Sequence, residues 1–132
     1  MGKVINALVN SSFYEDTIII FTSDHGDMLG AHGWLFQKWY QAYEETIHVP
    51  LIFHNPQLFK KYNSTEIITS HIDILPTILS LSDVDTNKAL LELKKSHTEA
   101  IEPVGRDLTP KCFLKKYQKT YMNKYTLLQT TM

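Results

Sequence analysis

The sequence has a single cysteine, Cys112, among 132 residues. An internal disulfide is therefore excluded, and so is a structural zinc site built on paired thiolates. Long hydrophobic runs are missing as well. No uninterrupted apolar stretch approaches the ~20 residues that a membrane helix needs, and Met1-Gly2-Lys3 does not lead into a cleavable apolar segment. The expectation is a chain with no membrane partner and no export signal of its own, whose localisation stays undetermined. An overall excess of one charge is also absent: thirteen Lys plus Arg stand against fourteen Asp plus Glu, which argues against a whole-molecule basic footprint for nucleic acid. Low-complexity tracts and internal repeats are lacking, and 43% apolar with 20% charged residues is ordinary globular usage. The length allows one domain's worth of polypeptide at most.

What charge there is lies unevenly. Up to residue 110 there are eight basic and fourteen acidic side chains, a balance of -6; beyond it Lys111, Lys115, Lys116, Lys119 and Lys124 face no acid at all. Residues 1–110 and 111–132 are thus two compositional segments. In the second, Phe113, Tyr117, Tyr121 and Tyr125 recur every fourth residue between lysines, which predicts a basic amphipathic helix.

Hydrophobic periodicity sketches the rest. Val4, Ile5, Leu8 and Val9 fall on one side of a helix running to about Asn10, where Ser11 and Ser12 end it. Thr17-Ile18-Ile19-Ile20-Phe21 is β-branched and apolar without alternation, the pattern of a strand covered on both faces in a parallel sheet. Ser23 to about Gln37 contains Gly26, Gly30 and Gly33 and reads as a long loop leaving the carboxyl end of that strand, where open α/β sheets place their chemistry. A turn or two of helix is expected over Tyr40 to Thr46. Val49-Pro50-Leu51-Ile52-Phe53 predicts a second buried strand, with Pro50 restricting it to a strand start or an edge. Asp73 is placed to cap a helix with Pro76 in its first turn and Ile74, Ile78, Leu79 and Leu81 as its buried stripe. Thr86 to His97 predicts a more exposed helix. The fold class that follows is α/β.

The sharpest chemical feature is Ser23-Asp24-His25-Gly26-Asp27, directly after the first strand. A carboxylate and an imidazole at a strand end, beside a glycine that lets the chain turn, can be aimed at one cation. Two side chains are only part of such a site, since Ca²⁺ takes six to eight oxygen donors and Mg²⁺ about six. From local pattern alone, a capping Asp24 and a hydrogen-bonded loop His25 are the favoured reading.

The wider string decides between these. Thr22 to Gly33, then Gln37-Lys38-Trp39-Tyr40, Tyr43-Glu44-Glu45 and Val49-Pro50-Leu51-Ile52, resembles the sulfatase family of the alkaline phosphatase superfamily, with its TSDHG-x-x-LG-x-HG pattern, following Lys, YEE and VPLI. The likeness continues through Ser70-His71-Ile72-Asp73-Ile74-Leu75-Pro76-Thr77 and Gly105-Arg106-Asp107-Leu108-Thr109-Pro110, covering roughly residues 1–110. The resemblance implies part of an alkaline-phosphatase-like fold, a piece of a mainly parallel sheet flanked by helices. It implies hydrolysis of sulfate esters, or of phosphonate or phosphate esters, on a small molecule or a glycan. Asp24 and His25 match the family's late metal ligands, which usually hold Ca²⁺; Mn²⁺, Mg²⁺ and Zn²⁺ occur in the superfamily. Lys38 matches the lysine that contacts the sulfate oxygens, where a fixed ammonium offsets charge on the transferred group. His32, in the same loop, is the weaker candidate for substrate contact or proton transfer. Glu44 and Glu45 invite an acid and base reading, but the resemblance gives them a supporting role, as it does Asp27 and Asp73. His48 stands where relatives often carry Arg.

One expected part is missing. Sulfatases make their nucleophile by oxidising the Cys or Ser of a C-x-P-x-R or S-x-P-x-R motif to formylglycine, and no such motif occurs here; Cys112 is followed by Phe113-Leu114-Lys115-Lys116. The expectation is therefore the later part of a catalytic domain, inactive alone, whose partner is the missing amino-terminal portion. The competing expectation from another class is a non-catalytic remnant or interaction module whose basic tail binds anionic partners. Asn10-Ser11-Ser12 and Asn63-Ser64-Thr65 match glycosylation sequons, which arise often by chance.

Overall fold

The structure is a computed structural model that describes residues 1–110 and the backbone of a strand at 126–130. These fall into two units, residues 1–68 with 126–130 and residues 69–110. The basic helix expected from Lys111 lies outside the described residues, except for 126–130, which form a strand.

The first unit opens with helix α1, Gly2–Val9. Its apolar side is only partly covered: Ile5 and Leu8 are half-buried while Val4 and Val9 stand exposed. The helix stops where the Ser11 hydroxyl donates to the Leu8 carbonyl at 2.7 Å. Strand β1, Ile19–Thr22, follows. After it come α2, a single turn at Ala31–Trp34, and α3, Glu44–Ile47. The chain then enters β2, Val49–His54, where Leu51 and Phe53 are fully buried, and later β3, Asn63–Thr69. With β4, Thr126–Thr130, these strands form one sheet in the order β1-β2-β4-β3.

The mainly parallel sheet expected from the sequence is not what the described pairs show. β1 runs antiparallel to β2, from Ile19↔His54 to Thr22↔Leu51, and β2 antiparallel to β4. An apolar run without alternation records how fully a strand is covered and not which way its neighbour runs. Direction is set by the connection. The segment 23–48 leaves the carboxyl end of β1 and re-enters the sheet at that same end, with no crossover to carry it back. Pro50 is tolerated inside the sheet because β1 reaches only as far as Leu51, so Pro50 has a strand neighbour, Gln129, on one side alone.

The end of β2 is tied down by a buried amide. The Asn55 side-chain nitrogen donates to the Glu15 and Thr17 carbonyls at 2.7 and 2.9 Å, and its oxygen accepts from the Gln57 and Leu58 amides at 2.9 and 2.8 Å. This one side chain fixes the approach to β1 and the exit from β2. Beside it the Tyr14 hydroxyl meets His54 Nε2 at 2.7 Å.

In the second unit Ser70 leads into a 3-10 turn, His71–Asp73, then α4, Ile74–Leu81, and α5, Thr86–Ser96. Asp73 does not cap α4 with its side chain, as the sequence predicts; its carboxylate is turned to other donors. It accepts from the Ser70 amide at 3.0 Å, the Arg106 amide at 2.7 Å and the Arg106 guanidinium at 2.9 Å. The competing donors win because they are more numerous and one is charged. Gly105 permits this approach, since a Cβ there would lie 1.9 Å from the Ile72 carbonyl oxygen. Thr77, fully buried, donates to the Asp73 carbonyl at 2.6 Å and accepts from the Leu108 amide at 3.0 Å. Of the stripe expected on α4, Ile78 is exposed, and Thr77 is the residue that the helix buries. α5 begins at Asp85, whose carboxylate accepts from the Lys88 amide at 3.1 Å, and it buries no residue.

Burial alone would raise the Asp73 carboxyl, but the Arg106 and Ser70 hydrogen bonds and the guanidinium charge outweigh it and hold the group below the usual carboxylate range. Its stabilising contribution is complete above about pH 3.9 and is lost as pH falls through the lower folded value. Replacing Asp73 by Ala strands buried donors and should cost about 2–4 kcal/mol at neutral pH. Denaturant unfolding of the two chains should show that gap at pH 7 and its progressive closure below about pH 4.

Candidate metal and anion site

The first strand delivers the site. β1 ends at Thr22, and the next residues turn at once. Ser23 Oγ donates to the His25 carbonyl at 2.7 Å, and the His25 amide donates to Asp24 Oδ1 at 2.9 Å. A short side chain folding back on its own backbone is what Ser and Asp do at turns. The Asp24 carboxyl is held below its ordinary range, first by that amide and then by the charge of His25. It is anionic across the neutral range and exposed, with 86% of its side chain open to solvent.

His25 is fixed by its other neighbour. Its Nδ1 lies 2.6 Å from the Gly26 carbonyl, an acceptor only, so Nδ1 carries a proton and donates. In the neutral ring Nε2 then keeps its lone pair, 3.6 Å from Asp24 Oδ2. Two donors at that spacing can share one ion with bonds of about 2.0–2.4 Å. The pair therefore fits a divalent cation as part of its ligand set. No group of three or more His, Cys, Asp or Glu converges among the described residues.

Gly26 anchors this turn to α3. Its amide donates to the Thr46 carbonyl at 2.9 Å, and a Cβ at this position would stand 1.9 Å from the Glu45 carbonyl oxygen. Only glycine allows the two backbones to meet so closely. Thr46, fully buried, secures the other side by donating to the Tyr43 carbonyl at 2.8 Å.

The loop beyond Gly26 is held in an unusual backbone state. Leu29, His32 and Trp34 have φ of +47, +50 and +73°, and Gly30 and Gly33 are also left-handed. Such φ values at bulky residues cost energy and gather at functional segments. His32 is pinned by stacking on Tyr43, ring centroids 4.2 Å apart, and by donating from Nε2 to Glu45 Oε2 at 3.2 Å. Glu44 instead pairs with His48 Nδ1 at 2.5 Å. The two adjacent carboxylates thus serve different histidines and form no acid and base pair. Lys38 is exposed, and among the described residues no hydrogen bond or ion pair joins it or His32 to Asp24 and His25.

The model of the Sulfatase family matches residues 1–84. The chain belongs to the sulfatase family. Among similar sulfatases, an uncharacterised one of Escherichia coli is 41% identical over 68% of this chain and 17% of its own length. An N-acetylglucosamine-6-O-sulfatase of Bacteroides thetaiotaomicron is 36% identical over 64% of this chain and 15% of its own. Arylsulfatase K of Rattus norvegicus is 29% identical over 99% of this chain and 23% of its own. The chain therefore spans less than a quarter of the length of these relatives. No solved structure gives a significant match. No helix among the described residues is long and apolar enough to cross a membrane.

Sequence reading brings Asp24 and His25 together, as the turn does, but it misses what holds them. The contact of Gly26 with α3 and the His32–Glu45 link join residues 13 to 20 positions apart. The signal available for the first was a glycine where no turn demands positive φ. Replacing Gly26 by Ala in this sulfatase chain should force the turn away from α3. We expect a loss of about 1–3 kcal/mol, measured by denaturant unfolding, against little change for Gly2→Ala, where a Cβ would meet open space.

Proposed function

We propose that this chain supplies the later part of a sulfatase catalytic domain that hydrolyses sulfate esters. In it Asp24 and His25 hold a divalent cation, most simply Ca²⁺, and Lys38 binds the sulfate group. The observation that carries the reading is the Asp24–His25 pair itself: an anionic carboxylate and an oriented imidazole, 3.6 Å apart, at the end of β1. Membership of the family supports it.

Each residue has a task it can perform as placed. Asp24 contributes fixed negative charge, and His25 presents the lone pair of Nε2 because its Nδ1–H donates to the Gly26 carbonyl. A bound divalent cation supplies Lewis-acid charge against the oxygens of a sulfate ester. Lys38 brings an exposed ammonium that can meet the negative charge growing on the leaving oxygen. His32 is held by Glu45 and Tyr43, so its part is to brace the loop that carries Lys38. The motif from which sulfatases make their nucleophile is not among these 132 residues. Turnover then depends on residues that this chain does not contain.

Calcium should raise the thermal midpoint of the chain by mass action, and Asp24→Asn should abolish that rise without lowering the metal-free midpoint. An equal rise in the variant would refute the metal assignment. The purified chain should not hydrolyse p-nitrophenyl sulfate; turnover that disappears in Asp24→Ala would overturn the dependence on other residues.

A further inference from the structure

We infer that the contact between His32 and Glu45 is an acid-tightened clamp, which holds the segment 29–34 against α3 while His32 is protonated and loosens when His32 is neutral. The inference stands apart from the sulfatase reading, since neither a metal nor a sulfate enters it.

The segment needs a restraint. Leu29, His32 and Trp34 are left-handed, and bulky residues keep such a backbone only where their surroundings impose it. Part of the restraint is internal: the Gly30 amide donates to the Leu35 carbonyl at 2.8 Å and the Leu35 amide to the Ala31 carbonyl at 3.1 Å. Buried Met28 anchors the start, whereas Leu29 and Trp34 are 84 and 77% exposed and anchor nothing. Among the described residues, the side-chain hydrogen bond that ties 29–34 to another element is that of His32, whose Nε2 lies 3.2 Å from Glu45 Oε2. The same ring lies on Tyr43, 16° from parallel. With φ of +50°, His32 is at once a strained residue and the one that holds the strain in place.

Both of its contacts gain from a proton. A neutral imidazole makes an ordinary hydrogen bond to a carboxylate, and an imidazolium makes a charge-assisted one, about twice as strong. Against the face of Tyr43 the cation also meets the negative side of the ring. The acceptor is ready, because the Glu45 carboxyl is held below its ordinary range, first by its own amide and then, against some burial, by the bond and charge of His32. Other charges do not compete. Glu44 is turned to His48, Asp27 accepts from the Leu29 amide, and among the described residues neither Asp27 nor Lys38 forms an ion pair with His32. The His32 side chain is 43% exposed, so protons reach it from water.

The sign follows. A histidine gains its charge below about pH 6.5, and Glu45, with its carboxyl held low, is still ionised there. The added hold is complete below about pH 6 and is lost as pH rises past about 7. What loosens is the stretch that leads through Trp34 toward Lys38.

Both tryptophans of the chain, Trp34 and Trp39, lie in or just beyond this segment, so their emission reports on it. We expect the emission of the full chain to pass through a transition near pH 6.5. Hydrogen exchange of residues 29–35, corrected for the intrinsic effect of pH, should be roughly threefold slower in acid than in mild alkali, the effect of one exposed ion pair. In Glu45→Gln the two corrected rates should be equal, while His48→Gln, which removes the neighbouring pair, should behave as the unaltered chain. High salt screens an exposed pair without altering the chain, and it should narrow the same gap whether or not a variant folds. Equal corrected rates in the unaltered chain overturn the proposal, as does a gap that salt leaves untouched. An emission transition that persists in Glu45→Gln but vanishes in His32→Gln is quenching of tryptophan by a nearby imidazolium, and it also overturns the clamp. A gap that vanishes in His48→Gln and survives in Glu45→Gln assigns the pH dependence to the other pair and does the same.

Discussion

The arrangement of the candidate site depends on one close approach, that of the Gly26 backbone to α3. A strand end is a poor place to hold a carboxylate and an imidazole in register, because nothing in the strand itself continues past Thr22. Here the continuation is supplied by packing main chain against main chain, with the Gly26 amide on the Thr46 carbonyl and no room for a Cβ against Glu45. That contact sets the direction in which Asp24 and His25 leave the sheet. It also brings Glu45 to the side of the loop where His32 needs an acceptor. One missing side chain thus organises both the Asp24–His25 pair and the loop after it.

The site is built from economical local bonds on one side and strained backbone on the other. Ser23, Asp24 and His25 satisfy one another within three residues, which needs no distant partner. The segment 29–34 is the reverse: its left-handed residues are sustained by α3 and by the ring of Tyr43. A turn that holds itself suits ligands whose spacing must not change. A loop held from outside keeps its shape only as long as those outside contacts last.

Much of this was legible from sequence where the determinants are local. The apolar run in β1, the break at Ser23, the exposed helix from Thr86 and the Asp24–His25 pair all rest on neighbours in the chain, and their outlines agree with the structure. The sheet direction was not legible, because a run of isoleucines carries no record of how segment 23–48 returns. Asp73 misled for a related reason: its position before α4 is that of a cap, but Arg106, 33 residues away, offers a charged donor. The separate tasks of Glu44 and Glu45 were hidden too, since adjacent carboxylates look like a pair until the helical turn points them at different histidines. For the sheet and for Asp73, structure distant in the chain overrode a sound local expectation.

The buried amide of Asn55 has a consequence for how the molecule ages. Asparagines in turns commonly degrade when the next residue's backbone nitrogen attacks the side-chain carbonyl and closes a cyclic imide. The residue after Asn55 is Pro56, whose nitrogen has no hydrogen to lose and is already fully substituted. The Asn55 amide is moreover engaged at both its nitrogen and its oxygen, which leaves little freedom to rotate toward an attacking group. The side chain that joins the approach to β1 with the exit from β2 is in this way shielded from the commonest spontaneous damage to its kind, so the frame beneath the site is chemically durable as well as folded.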